Sequence, residues 1–125
     1  LGLQTIVSRR MNITEEPSVV TVGSFNAGNR GNIIPDEVKL ELTLRAFDEK
    51  VMAHLVASIR RICDGLARSA GLPDDRMSVV TLTPESIDVT RNDPGLSRRL
   101  AARFVEWFGD EKARPVDPVM GGVDK

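Results

Sequence analysis

The sequence contains very few of the residues from which metal centres and disulfides are built. It has one histidine, His54, and one cysteine, Cys63. A single histidine excludes a metal site built on paired histidines within the chain, and a single cysteine excludes an internal disulfide. Because structural disulfides belong mainly to oxidising compartments, the lone cysteine favours a cytoplasmic location.

Long apolar runs and a strong net charge are lacking too. No run approaches the roughly 20 apolar residues that span a bilayer, and the N-terminus lacks the basic and apolar regions of a signal peptide. The net charge of −1 provides no long-range attraction to nucleic acid or to anionic membranes. We therefore expect neither as a partner. The composition, 41% hydrophobic and 28% charged, is instead typical of a globular chain.

No complete catalytic constellation is visible in the sequence. His54 is expected on the solvated side of a helix. Cys63 adjoins Ile62 in an apolar stripe, which predicts a buried and unreactive thiol. Gly28 and Gly31 do not form a phosphate-binding loop, because that motif needs a Lys-Ser/Thr pair and a following helix. This chain alone is therefore not expected to catalyse a reaction.

Alternation of apolar and polar residues is the clearest pattern in the chain. It runs from Val38 to Ala46 and predicts an antiparallel strand with one face in the core and one in water. Residues 18–26 predict a strand before it, and residues 77–83 predict one after it. The alternation predicts four residues facing a helix, Val38, Leu40, Leu42 and Leu44. It predicts two facing away, Glu41 and Arg45.

Two further segments have helical spacing and recognisable ends. The first follows Asp48 as N-cap and runs over residues 51–70 to Gly71, which favours a left-handed stop. The second begins with Asp93 as N-cap and ends at Gly109. The apolar stripe predicted for the first helix consists of Val51, Leu55, Ile59, Ile62, Leu66 and Ala70.

The order of elements predicts the fold class. It reads partial helix, strand, strand, helix, strand and second helix, and the abrupt helical start at Leu1 indicates a piece of a longer chain. One more strand before Leu1 would complete βαββαβ, an α/β (α+β) fold of the ferredoxin-like type, with two helices on one face of an antiparallel sheet. We expect residues 1–90 to form this domain without its first strand, and residues 91–125 to belong to another.

The loop between the first two strands is longer than a hairpin requires. It spans about ten residues, whereas tight hairpins use two to five. Glycines such as Gly28 tolerate positive φ, so a bulged turn remains one interpretation. However, Ile33 and Ile34 have large apolar side chains that favour burial, and Asn32, which carries a side-chain amide, directly precedes them. Arg45 lies on the wet face of the next strand, where it and an amide could together clamp a carboxylate.

The run GNRGNIIPDEVKLELTLRAFD resembles a motif in the lid, or dimerisation, domain of the dinuclear-metal amidohydrolases. This metallopeptidase superfamily includes hippurate hydrolase, indole-acetyl-amino-acid hydrolase, aminoacylase and carboxypeptidase G. Its pattern is a glycine, then Asn-Val-Ile-Pro-Asp, an alternating strand and Thr-x-Arg-x-Phe. Here these are Gly28, residues 32–36 and residues 43–47. LQTIVSRR, NDP and MGGVD resemble the end of the first lid helix, the return to the catalytic domain and a segment of that domain.

The resemblance covers nearly the whole chain and points to the hippurate and auxin-conjugate hydrolase branch. It implies a parent amidohydrolase that hydrolyses N-acyl-amino acids with two divalent metal ions, zinc, manganese or cobalt, none of them bound by this chain. It implies that Asn32 and Arg45 bind the substrate carboxylate and that the lid domain forms a homodimer. The loop-anchoring residues that it implies are Gly28, Ile33, Ile34 and Pro35.

One departure from the family pattern keeps other interpretations open. Val123 stands where the family has an acidic residue before Asp124, and the family's metal ligands and catalytic glutamate lie outside this chain. A degenerate paralogue that retains only dimerisation is one alternative. A non-enzymatic α/β dimerisation or small-ligand regulatory module is the other, since the same order of elements would serve it.

Overall fold

A computed structural model describes residues 2–83 and 91–116 of the chain. The chain divides into two compact units, Leu1–Ile87 and Asp88–Lys125. The first unit contains β1 (Ser18–Ala27), β2 (Val38–Ala46) and α1 (Glu49–Ser69), and the second contains α2 (Pro94–Phe108). Short helical turns lie at Gly2–Gln4, Ile6–Arg10 and Asp74–Arg76. The arrangement is mixed α+β, in agreement with the predicted ferredoxin-like domain that lacks a strand.

The two strands form an antiparallel hairpin, as the alternation predicts. Their register runs from Ser18 opposite Ala46 to Ala27 opposite Val38, and it slips by one residue between Val22 and Ser24. This slip is a β-bulge, which places two residues of one strand against one of the other. We call the side that carries Leu42 the core face of the hairpin and the opposite side its outer face.

Helix α1 has the predicted residues at its two ends, Asp48 before it and Gly71 after it. The Asp48 carboxylate accepts a hydrogen bond from the Lys50 backbone N–H at 2.6 Å, which satisfies one of the amides that a helix start leaves unpaired. At the other end Gly71 has φ of 74°, and its N–H donates to the Arg68 carbonyl at 3.0 Å. A left-handed residue here closes the helix and satisfies its last carbonyls.

The core of the first unit is small and lies between the core face, α1 and the N-terminal helical turn. Ile6, Leu55 and Ile59 are buried, and Leu42 and Leu44 pack against them from β2. Burying one such side chain contributes about 1.5–3 kcal/mol. Leu42 and Leu44 are half-buried and face the helix, as the alternation predicts.

The core covers only part of the core face. Val38 and Leu40 point to the same side as Leu42, yet they are 46% and 38% exposed. Leu66, near the end of the predicted α1 stripe, is 61% exposed. The prediction that Val38 and Leu40 are covered by the helix is therefore wrong. Alternation decides the side of the strand to which a side chain points, but the side chain is buried only where another element packs over that side.

Residues 77–83 do not form the predicted strand. They lack regular secondary structure. The Ser78 hydroxyl donates to the Asp64 carboxylate at 2.9 Å, and Val80 packs against the core. Among the described residues the sheet has two strands only. A β-branched sequence favours extended backbone, but a strand also requires a neighbour to accept its hydrogen bonds.

Helix α2 has the predicted N-cap and the predicted glycine at its end. The Leu96 backbone N–H donates to the Asp93 carboxylate at 2.6 Å, Pro94 is the first helical residue, and Gly109 follows α2 with φ of 80°. The MGGVD segment, including Val123, lies outside the described residues. Within residues 2–83 and 91–116, no helix combines the length and the apolar character needed to cross a membrane.

Candidate functional site

The long loop, residues 28–37, folds against itself at its base. Gly28 has φ of 64°, a left-handed conformation that favours glycine, and a Cβ added to it would lie 3.5 Å from the Cβ of Pro35. Further along, the Ile33 N–H donates to the Arg30 carbonyl at 3.4 Å. Gly28 and Pro35 thus meet at the neck of the loop, and Asn32 lies between them in an exposed turn.

The two isoleucines of this loop are not buried within the chain. Ile33 is 56% exposed and Ile34 is 92% exposed. The expectation that they are covered is therefore wrong for this chain, because no element of the described residues lies over them. They line an open cavity of about 300 Å³ with Gly28, Asn29, Pro35, Asp36 and Glu37. Their role as anchors in the longer protein stays a prediction.

Arg45 lies at the far end of β2 from the loop. It stands opposite Val19 on the outer face and is exposed, as is Glu41, so the predicted orientation of these two residues is confirmed. The seven residue steps from Val38 to Arg45 correspond to about 23 Å along a strand. For Asn32 and Arg45 of one chain to hold the same carboxylate, the loop must fold back along the hairpin.

The outer face is polar except at Val19. Beside Val19, its residues are Thr21, Ser24, Asn26, Lys39, Glu41, Thr43 and Arg45. In the half nearest the loop, polar side chains of the outer face contact one another. The Lys39 ammonium lies 3.2 Å from the Glu41 carboxylate, and the Asn26 amide donates to the Ser24 hydroxyl at 2.6 Å. Ser24 and Asn26 reach this face only because the bulge shifts the alternation of β1, which the sequence pattern alone did not reveal.

The histidine and the cysteine both lie on α1 and differ in exposure. His54 is exposed, as predicted. Cys63 is half-buried, so its predicted burial is only partial. Burial, with a smaller contribution from the neighbouring Asp64 carboxylate, raises the pKa of the Cys63 thiol above its ordinary value. The thiol therefore stays protonated near neutral pH, where only the thiolate would be nucleophilic.

The described residues do not fit a metal centre. Within residues 2–83 and 91–116, no three His, Cys, Asp or Glu side chains lie together in a group that could hold a metal ion. A divalent metal needs several such ligands converging on one point. No reaction step through a metal can therefore be assigned to these side chains.

Comparison with known proteins reveals the relationships of the chain. The family described as Peptidase dimerisation domain matches residues 7–70, just over half of the 125 residues. The chain is 30% identical over 122 residues to an N-acetyldiaminopimelate deacetylase of Pediococcus pentosaceus, covering 98% of the chain and 30% of that protein. It is 38% identical over 69 residues to a hippurate hydrolase of Campylobacter jejuni, covering 55% of the chain and 18% of the hydrolase.

Each of these matches covers only a small part of the relative. A third relative, an N-acetyldiaminopimelate deacetylase of Oenococcus oeni, is 41% identical over 70 residues, which are 56% of the chain and 18% of that protein. The chain thus spans at most about a third of the length of these relatives. The hairpin, α1 and the loop between the strands all fall within the matched residues 7–70, and the chain belongs to the M20 peptidase dimerisation domain family.

Proposed function

We propose that the protein to which this chain belongs is a metal-dependent amidohydrolase acting on N-acyl-amino acids. The match of residues 7–70 to the dimerisation domain carries this proposal. The relatives named as a deacetylase and a hippurate hydrolase both have names that denote release of an acyl group. The chain itself contributes dimerisation and recognition of the substrate's carboxylate.

Arg45 is the residue that binds the carboxylate. Its exposed guanidinium presents two parallel N–H donors, which match the two oxygens of a carboxylate. The nearest acidic residue along the outer face, Glu41, is engaged by Lys39 at 3.2 Å. The charge of Lys39 is offset by this pair, and Arg45, at the other end of β2, is the cation to which we assign the substrate carboxylate.

Asn32 acts from the loop, in its own active site or in that of a partner subunit. Its side-chain amide donates to a substrate oxygen, and the Gly28–Pro35 neck limits the conformations of the turn that carries it. The exposed Ile33 and Ile34 hold the loop by packing on a surface outside this chain, because two large apolar side chains favour burial by about 1.5–3 kcal/mol each.

The metal ions belong to the rest of the protein. Two divalent ions, zinc, manganese or cobalt, when bound, supply the activation of the attacking water. The described part of this chain offers no ligand set for them. The dimerisation-domain match supports a homodimer, and the lone Cys63 supports a cytoplasmic location.

The test is Arg45→Ala in the full-length protein, assayed with N-acyl-amino acids and with the same substrates amidated at the carboxylate. Loss of a charged hydrogen bond predicts a fall in kcat/KM of about 10- to 150-fold for the acids. The fall should be much smaller for the amides, and Arg45→Lys should recover little, because a lysine cannot form the bidentate contact.

Lys39→Ala, which removes a positive charge from the same face at the other end of β2, is the matched control and should change neither rate much. Equal losses on acid and amide substrates would reject the carboxylate-binding role. A full-length protein that hydrolyses no acyl-amino acid in the presence of zinc, manganese or cobalt would reject the hydrolase and favour a non-enzymatic dimerisation module.

A further inference from the structure

The β-bulge divides the outer face of the hairpin into two zones. The zone nearest the loop is occupied by an ion pair, Lys39 with Glu41, and by a hydrogen bond between Asn26 and Ser24. Its polar groups are therefore engaged with one another. Bulges commonly mark places where the side chains of a strand are redirected, including the neighbourhood of binding sites.

The zone on the other side of the bulge has a different composition. Thr21 stands directly opposite Thr43, and Val19 stands directly opposite Arg45. Side chains at directly opposite positions have Cβ atoms about 4.5–5.5 Å apart, and diagonal neighbours are about 7–8 Å apart by Cα. Both threonines and Arg45 are exposed. The two threonine side chains thus lie beside each other, within reach of the long arginine side chain.

This set of donors suits a carboxylate. A bidentate guanidinium contact uses two of the roughly four lone-pair sites that a carboxylate offers. Two neighbouring hydroxyl groups can donate to the remaining sites. Threonine is also well suited to the position, because its β-branched side chain favours a strand while its hydroxyl remains in the solvent-facing layer.

We propose that Thr21 and Thr43 bind the substrate carboxylate together with Arg45. The inference rests on the proposed function and extends it to β1, a strand in which no substrate-binding residue was predicted. The same three side chains determine which chemical group this zone of the hairpin recognises. The three side chains together suit an anionic, two-oxygen group. The guanidinium discriminates against the neutral amide, because it cannot accept a hydrogen bond from the amide NH2 group.

The experiment uses Thr43→Val and Thr21→Val in the full-length protein. Valine preserves the shape and the strand preference of threonine but removes the hydroxyl. Each substitution should lower kcat/KM for N-acyl-amino acids about tenfold, the lower end of the range for a hydrogen bond to a charged group. The loss should appear mainly in KM and should nearly vanish with the amidated substrate. Thr43→Ser should restore most of the affinity.

Ser24→Ala is the matched control, because it removes a hydroxyl from the same face of β1 on the other side of the bulge. It should leave both substrates unaffected. If Arg45→Ala discriminates acid from amide but both threonine variants do not, the proposed function stands and this inference is overturned. If Arg45→Ala does not discriminate, the proposed function fails and the inference fails with it. Unchanged circular dichroism of each variant ensures that losses are not due to unfolding.

Discussion

Two glycines five positions apart have different backbone requirements. Gly28, at the neck of the loop, has φ of 64° and packs against Pro35, whereas Gly23, in the bulge, lacks positive φ. A Cβ on Gly23 would lie 3.9 Å from the nearest atom, the Glu41 carbonyl oxygen, which is an ordinary contact. A side chain is therefore strained at Gly28 and tolerated at Gly23.

Gly28→Ala should lower the free energy of unfolding by about 1–2 kcal/mol, the cost of a left-handed alanine. Gly23→Ala should be neutral or stabilise by up to about 1 kcal/mol, because alanine restricts the unfolded chain. Urea denaturation followed by circular dichroism measures both. Equal effects of the two substitutions would mean that the loop neck tolerates a side chain and does not constrain Asn32.

At the scale of elements, β2 is buried along only part of its length. Leu42 packs against the buried cluster of Ile6 and Leu55, whereas Leu40 on the same face is 38% exposed. The two leucines lie on the same face of β2 and both stand opposite residues of β1, Leu42 opposite Val22 and Leu40 opposite Phe25. They differ in the cover that α1 and the N-terminal turn provide.

Leu42→Ala should therefore lower the free energy of unfolding by about 2 kcal/mol, at the low end of the range for leucine removal because the site is not fully buried. Leu40→Ala, the matched control two residues earlier, should cost less than about 1 kcal/mol. Denaturation of the 125-residue chain with urea compares them. A larger loss for Leu40 would show that its part of the core face is covered in solution.

At the scale of the whole molecule, the dimerisation-domain match leads to an expectation about assembly. Both strands of the described sheet have one neighbour only, and an unpaired edge readily accepts a strand of another molecule. The full-length protein should sediment as a dimer at micromolar concentration. The 125-residue chain is a poorer sample for this measurement, because its exposed apolar residues, such as Ile34 and Phe25, invite non-specific association.

Sedimentation of the full-length protein as a monomer across the accessible concentration range would contradict the expectation. It would also exclude an active site completed by Asn32 of a partner subunit. Asn32 would then have to reach the carboxylate bound by Arg45 of its own chain, with the loop folded back over about 23 Å of strand.

Local signals in the sequence predicted most of the first unit. Asp48 and Gly71 set the ends of α1 because a cap and a left-handed residue act within a few positions of the chain. The period-two pattern of β2 predicted the orientation of Arg45 and Glu41 for the same reason. The Asn-Ile-Ile-Pro and Thr-x-Arg motifs were specific enough to identify the family that the comparisons show.

What the sequence by itself determined is therefore local: helix ends, the period of each strand and the side to which a residue points. Only the tertiary structure decided which of those sides are covered, and it left Leu40 and Ile34 exposed while burying Ile6. It also decided the register, because pairing between two strands depends on contacts far apart in the chain. The bulge at Gly23 and the opposition of Thr21 to Thr43 both follow from that pairing. Residues 77–83 form no strand, since a strand needs a neighbour to complete its hydrogen bonds.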